Sequence, residues 1–151
     1  MKTGDLAPEF ALDDQHGVRR TLSDLLQDGP VVLFFYPAAM TAGCTAESCH
    51  FRDLATEFGE LGAQRVGISP DTVSKQKEFA DKHTFDYPLL SDVGGLVAAA
   101  YGVKRNISIL PVKRQTFVIG KDGRIIETIK SEVRMNVHAD RALEALRASG
   151  R

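Results

Sequence analysis

Tryptophan is absent from this 151-residue chain, and cysteine occurs only twice. No apolar stretch approaches the roughly 20 residues that a membrane-spanning helix needs. The opening segment "MKTGDLAPEFALDDQHG" is interrupted by acidic and polar residues every few positions, so neither a signal-peptide core nor a membrane span is expected there. Charge of one sign is also missing. Lys and Arg total 19 against 20 Asp and Glu, a formal net of -1, with no basic block or acidic tail to suggest nucleic acid or an anionic membrane as partner. Nor is there an internal repeat, a low-complexity run or a linker rich in Pro, Gly or Ser. What these absences leave is a soluble, cytoplasmic chain, 43% hydrophobic, long enough for one sizeable core and expected to form a single domain over residues 1–151. In that reducing compartment two thiols are catalytic, redox-sensing, metal-binding or inert rather than a structural disulfide.

The apolar pattern alternates between strands and helices. "EFALDDQHGVRRTL" predicts a hairpin turning at Gln15-His16-Gly17, and Ser23 is placed to cap a short helical turn through Leu26. "VVLFFYP", from Val31 to Pro37, is an unbroken β-branched and aromatic run, the signature of a strand buried on both faces. A helix is predicted from about Ala42 to Phe58, with Thr41 at the N-cap and Phe51, Leu54, Ala55 and Phe58 on one face. "RVGIS" reads as a strand, "VSKQKEFADKH" as a helix, "YPLLSD" as strand and turn, and "GLVAAAYG" as a short helix closed by Gly102. "QTFVI" and "RIIETIK" form a hairpin, and a last helix spans roughly His138 to Ser149 with Leu143 and Leu146 inward. The whole predicts an α/β fold, a mixed central β-sheet flanked by helices on both faces.

Both cysteines fall in "YPAAMTAGCTAESC", directly after the buried strand. This places Cys44 in the first turn of a helix, where amides lack intrahelical partners and the helix dipole favours an anion such as a thiolate. Thr41 brings a hydroxyl alongside the sulfur, and Pro37 stiffens the loop and removes a competing amide. The alternative for Cys44, a small buried hydrophobe, runs against this convergence of loop, cap and dipole. Cys49 lies five positions on, about 140° round the helix and roughly 7.5 Å along it, which separates the Cα atoms by about 8–9 Å. A disulfide tolerates at most about 7 Å, so the pair cannot bridge until a turn unwinds.

"PAAMTAGC" fits P-x-x-x-T-x-x-C and resembles the active-site signature of the peroxiredoxins, most closely the bacterioferritin-comigratory or Q-type subfamily, which often has a second cysteine five residues on, as in "CTAESC". "GDLAPEFALDDQHG", "VVLFFYPAAMTAGCTAESCHFRDL", "GISPD", "FDYPLLSD", "YGV" and "RQTFVIGKDGRI" resemble the corresponding family segments in order, so the likeness covers nearly the whole chain. It implies a thioredoxin-like fold and a thiol peroxidase acting on hydrogen peroxide and organic hydroperoxides, without haem, flavin or metal. It further implies Cys44 as the peroxidatic cysteine, Cys49 as the resolving one, Thr41 and Pro37 as loop partners, and Arg114 as a distant arginine completing the site. Thioredoxin or a similar dithiol would be the reductant, and the chain a monomer or weak homodimer. A guanidinium beside a thiolate stabilises the anion and can hold peroxide oxygens in line. The other reading of Arg114 is a solvated charge in a cluster with Lys104, Arg105 and Lys113. The chain departs from the family pattern at Ala42, where proline is usual at a position suited to it.

Gly43 either permits close backbone approach to the substrate or merely starts the helix. Glu47 shares the side of Cys44 and either orients Arg114 or the peroxide, or is a first-turn acid favoured by the dipole. His50, about 240° from Cys44 round the helix, is expected to be a solvated or rim residue. Ile107, Ile109 and Leu110 form an apolar rim, a dimer contact or part of the core. Three other functions use the same residues: a zinc module holding Cys44, Cys49 and His50, which lacks a second Cys/His pair; a thiol-disulfide oxidoreductase, which generally uses C-x-x-C; and a peroxide sensor that passes oxidation to a partner.

Overall fold

A computed structural model describes residues 1–106 and 110–149. Among them, a small hairpin of β1 (Ala11–Asp13) and β2 (Arg19–Thr21) precedes a five-stranded sheet ordered β5-β4-β3-β6-β7. The sheet strands are β3 (Val31–Phe35), β4 (Gln64–Ser69), β5 (Leu89–Ser91), β6 (Gln115–Ile119) and β7 (Ile125–Lys130). β3, β4 and β5 run parallel, while β6 and β7 are antiparallel additions on the other side of β3. Helices α1 (Leu22–Leu26), α2 (Ala42–Asp53), α3 (Ala55–Glu60), α4 (Val73–His83), α5 (Leu96–Ala100) and α6 (Asn136–Ser149) connect and cover it.

Every residue of β3 is buried, as its unbroken apolar run predicts for a central strand covered on both sides. Alternation along the strand then sends side chains into two separate cores. Val32, Phe34 and Tyr36 join Phe51, Phe58, Phe79, Leu143 and Leu146. Val31, Leu33 and Phe35 join Phe10, Leu22, Leu25, Tyr101 and Phe117 on the opposite face. Phe34 stacks on Phe51 of α2 with ring centroids 4.1 Å apart and planes 8° from parallel, which locks α2 to the central strand.

Three sequence expectations are corrected at the level of elements. The helix predicted from Ala42 to Phe58 is two helices, broken at Leu54 (φ -99°, ψ 22°). There the Leu54 amide donates back to the Phe51 carbonyl, which also accepts from Arg65 Nη1 at 3.0 Å, so the regular ladder ends. The α1 cap is Thr21 rather than Ser23: Thr21 Oγ1 accepts from the Asp24 amide, and Ser23 lies inside the helix. α6 begins at Asn136, so His138 is the third residue of its first turn rather than its start. No helix of the described residues is long and apolar enough to cross a membrane.

Candidate active site

β3 delivers the chain through Tyr36 and the buried Pro37 into a tight loop that opens α2. Met40 takes φ +70°, an unusual conformation for a side chain of its size and one that costs about 1–3 kcal/mol. The loop is held from below by Asp71, whose Oδ2 accepts the Ala39 amide at 2.7 Å and the Ser69 hydroxyl at 2.6 Å. Gln76 extends this support: its Nε2 donates to Ser69 Oγ and to the Leu90 carbonyl, and its Oε1 accepts from Tyr36 Oη at 2.6 Å. Asp71 lies in the quoted "GISPD", but nothing in its spacing indicates contact with a loop more than thirty residues earlier.

Thr41 occupies the N-cap position of α2 with extended backbone, as expected, yet no side-chain bond caps the helix among the described residues. Its hydroxyl instead donates to the Ala38 carbonyl at 2.9 Å, which turns the oxygen back over the loop with its lone pairs available. Cys44, Glu47, Ser48 and Phe51 are the buried residues of α2, at positions i, i+3, i+4 and i+7 of one helical face. Cys44 is fully buried, and Cys49, half-buried, packs against the edge of the core that contains Cys44; both thiols are free. Burial pushes the Cys49 thiol up, Asp53 adds to the rise and Arg52 opposes it, so Cys49 stays protonated while the helix is closed.

Arg114, just ahead of β6, is 7% exposed, and so is not the solvated charge that its basic neighbours suggest. Its Nη1 donates to Glu47 Oε1 at 2.8 Å. Burial opposes its charge, but the attraction of Glu47, reinforced by their hydrogen bond, and that of the nearby Cys44 sulfur hold Arg114 above the ordinary arginine range. Gly43 explains how the guanidinium comes so near. A Cβ there would stand 3.3 Å from Arg114 Nη2 and 3.6 Å from Met135 Sδ, so the close approach at Gly43 is made by protein groups.

Glu47 is fully buried. Burial pushes its carboxyl up to about 8, against the charge and hydrogen bond of Arg114, with Glu132 adding to the rise. Among the described residues its Oε2 has no hydrogen-bond partner; it lies 3.5 Å from Nδ1 of the equally buried His138, outside hydrogen-bond geometry. The sequence reading missed His138, although it precedes Ala142 by four positions on the inward stripe Ala139, Ala142, Leu143, Leu146, so extending that stripe one turn towards the N-terminus reaches it. His50, expected to be a solvated or rim residue, is half-buried, and its Nε2 lies 2.7 Å from Asp140 Oδ1, tying α2 to α6. Leu110 is exposed, and Ile107 and Ile109 lie outside the described residues. No group of three His, Cys, Asp or Glu able to hold a metal occurs among the described residues.

A buried thiol in the first turn of a helix, facing a buried arginine on a sheet of this topology, defines the thioredoxin-like class of thiol enzymes. The chain belongs to the AhpC/TSA family, whose pattern matches residues 3–128. It is 61% identical over 150 residues to a putative peroxiredoxin of Mycobacterium tuberculosis, covering 98% of this chain and 97% of that protein. It is 38% identical over 152 residues to peroxiredoxin Bcp of Bacillus subtilis, covering 97% and 96% respectively. The crystal structure of peroxidoxin BcpB from Mycobacterium tuberculosis superposes with a TM-score of 0.96 at 60% identity, covering 100% of this chain and 99% of that one. A structure of the Xanthomonas campestris bacterioferritin comigratory protein, described for its alkyl peroxide reduction activity, gives 0.84 at 30% identity, covering 92% and 90%. The protein is therefore a peroxiredoxin of the Bcp and Q type, a thiol-dependent peroxidase whose substrate is a peroxide and whose reductant is a thiol.

Proposed function

We propose that Cys44 is the peroxidatic nucleophile, that Cys49 resolves it, and that hydrogen peroxide and organic hydroperoxides are both substrates. The observation that carries this reading is the fully buried Cys44 in the first turn of α2, with a buried arginine, held in place by Glu47, closing over the same turn at Gly43. The alkyl peroxide reduction described for the Xanthomonas campestris relative supports the organic substrates.

The Cys44 thiolate attacks the nearer peroxide oxygen and the O–O bond breaks. Cys44 is oxidised by two electrons to a sulfenic acid, and the leaving oxygen takes up a proton as water or alcohol. Arg114 and the Cys44 amide face the charge that develops on the oxygens. Thr41, with its own proton committed to Ala38, accepts the hydrogen of the incoming hydroperoxide. The first turns of α2 then unwind, Cys49 becomes exposed, and its thiolate displaces water from the sulfenic acid to form the disulfide. Thioredoxin or a similar dithiol restores both thiols, and the chain works as a cytoplasmic monomer or weak dimer.

Stopped-flow oxidation of wild type, Cys44→Ser and Cys49→Ser, followed by mass spectrometry, tests the assignment. Cys44→Ser should consume no peroxide, and Cys49→Ser should form the sulfenic acid at the wild-type rate, then stall before the disulfide. A Cys44→Ser protein that consumes peroxide normally would overturn it.

A further inference from the structure

The ladder between β6 and β7 ends at the pair Gln115–Lys130, so the amide of the buried Arg114 lies one residue beyond it and needs another acceptor. Glu132, in the turn between β7 and α6, supplies one. Its Oε2 accepts from the Arg114 amide at 3.1 Å and from Arg105 Nη2 at 3.0 Å. Arg105 is itself fixed: its amide donates to the Pro111 carbonyl at 2.7 Å, Lys104 bridges Val112, and the Lys113 amide donates to the Val103 carbonyl at 2.8 Å. One carboxylate oxygen thus ties Arg105 to the main chain of Arg114, through contacts strengthened by charge.

The guanidinium has little else to hold its aim. Nη1 donates to Glu47 Oε1, whereas Nε is buried with no hydrogen-bond partner among the described residues. With one such contact at its end, the direction of this long side chain depends on where its main chain stands, and a misplacement of about 1 Å at a reacting centre can cost on the order of a hundredfold in rate. Glu132 acts on that main chain alone: among the described residues its carboxylate makes no hydrogen bond or ion pair with the guanidinium. Glu47 and Glu132 also differ in what carries them. Glu47 rides on α2, the helix that has to unwind for resolution, whereas Glu132 and Arg105 lie outside it.

We propose that Glu132 is a positioning residue of the peroxidatic site: fixed by Arg105, it anchors the main chain of Arg114 from outside α2 and so keeps the guanidinium aimed at the reacting sulfur. This deepens the assignment of Cys44 as nucleophile and rests on it. The anchor persists while α2 opens and the Glu47 contact is given up, so the arginine is in place when the helix closes again.

Stopped-flow oxidation of the reduced protein by hydrogen peroxide, at a temperature where every variant is folded, compares wild type, Glu132→Ala and Glu132→Gln, each alone and combined with Arg114→Gln. Glu132→Ala should lower the second-order rate constant about tenfold. Glu132→Gln, which keeps an oxygen for the Arg114 amide, should recover most of that loss. In the Arg114→Gln background the alanine change should cost less than about twofold, because the group it positions is gone, whereas a purely structural loss would cost the same in both backgrounds. A Glu132→Ala rate equal to wild type, a glutamine variant as slow as the alanine one, or an equal cost in both backgrounds would overturn the proposal. Should Glu132→Ala fail to fold, Arg105→Ala takes its place, with a loss of about two- to fivefold expected and a wild-type rate refuting the anchor. Hydrogen exchange at the Arg114 amide, read by NMR in Cys44→Ser protein, follows the contact apart from the chemistry and should become about tenfold faster with Glu132→Ala; unchanged exchange would also refute the anchor. Peroxide consumption by Cys44→Ser would instead refute the nucleophile assignment and leave the exchange result standing.

Discussion

Glu47 shows how far a single residue's chemistry depends on what folds over it. From sequence it could pass for a first-turn acid favoured by the helix dipole, but α2 begins at Ala42, which puts Glu47 in the second turn, beyond the dipole's main reach. In the fold it is closed off from water and pushed up to about 8. This has a consequence for stability that can be measured apart from activity. An exposed glutamate loses its proton near 4.5, so between that pH and about 8 the folded protein holds a proton that the unfolded chain has released. The contribution is complete below about pH 4.5 and is lost as pH rises through about 8, with a magnitude on the order of a few kcal/mol. Urea unfolding of the reduced protein at about pH 6 and pH 9 should show wild type losing more stability on going alkaline than Glu47→Gln does. Equal losses in the two proteins would contradict the raised carboxyl. Gly43 is the complementary case, a residue whose missing side chain leaves room for the Arg114 guanidinium.

α2 is held unevenly along its length. Its second half is pinned from outside, because Tyr87 Oη donates to the Ser48 carbonyl at 2.7 Å, Arg65 Nη1 to the Phe51 carbonyl at 3.0 Å, and His50 pairs with Asp140. The first turn has no side-chain cap among the described residues and begins at an exposed alanine. Unwinding that starts at Ala42 and stops near Ser48 therefore gives up the Glu47–Arg114 pair but leaves these three outer ties in place, and it frees the backbone between the two thiols. Ala42→Pro tests this. Thr41 already has the extended backbone that a following proline demands, and the amide lost at a first helical position has no intrahelical acceptor. The substitution should raise stability by about 0.4–1 kcal/mol and slow Cys44–Cys49 disulfide formation about two- to fivefold after peroxide treatment, as timed by quenched mass spectrometry. Disulfide formation at an unchanged rate would place the rate-limiting unwinding elsewhere in α2.

At the scale of the whole molecule, the active site is an outgrowth of one core. Phe51 lies two turns after Cys44 on the same helical face and stacks on Phe34 of the central strand, so the packing that stabilises the sheet also sets the depth of the sulfur. Phe51→Ala should cost about 3–5 kcal/mol and lower the melting temperature on the order of 10 °C, with the peroxide rate constant falling at temperatures where the variant is still folded. A variant that loses stability but reacts with peroxide as wild type does would uncouple the two.

The strands, the helices, the covered sheet and the cysteine-bearing turn were legible because they depend on local periodicity and on residues adjacent in sequence: the run at Val31–Phe35, the 3.6-residue spacing of α4 and α6, the loop before Cys44. What the sequence did not reveal depends on contacts between distant segments. The break at Leu54 follows from Arg65 reaching the Phe51 carbonyl, and the His50–Asp140 pair from the packing of α2 on α6. The loop support from Asp71 and the approach of His138 to Glu47 likewise join residues that no short-range pattern connects. The sequence by itself determined which thiol opens a helix and that its partner lies too far round that helix to bridge, since backbone geometry over six residues is enough for both. Only the tertiary structure decided the charge state around that thiol, because desolvation is a property of everything packed against a group. Residues 44, 47, 114 and 138 share one dry interior only after three separate elements have closed over it.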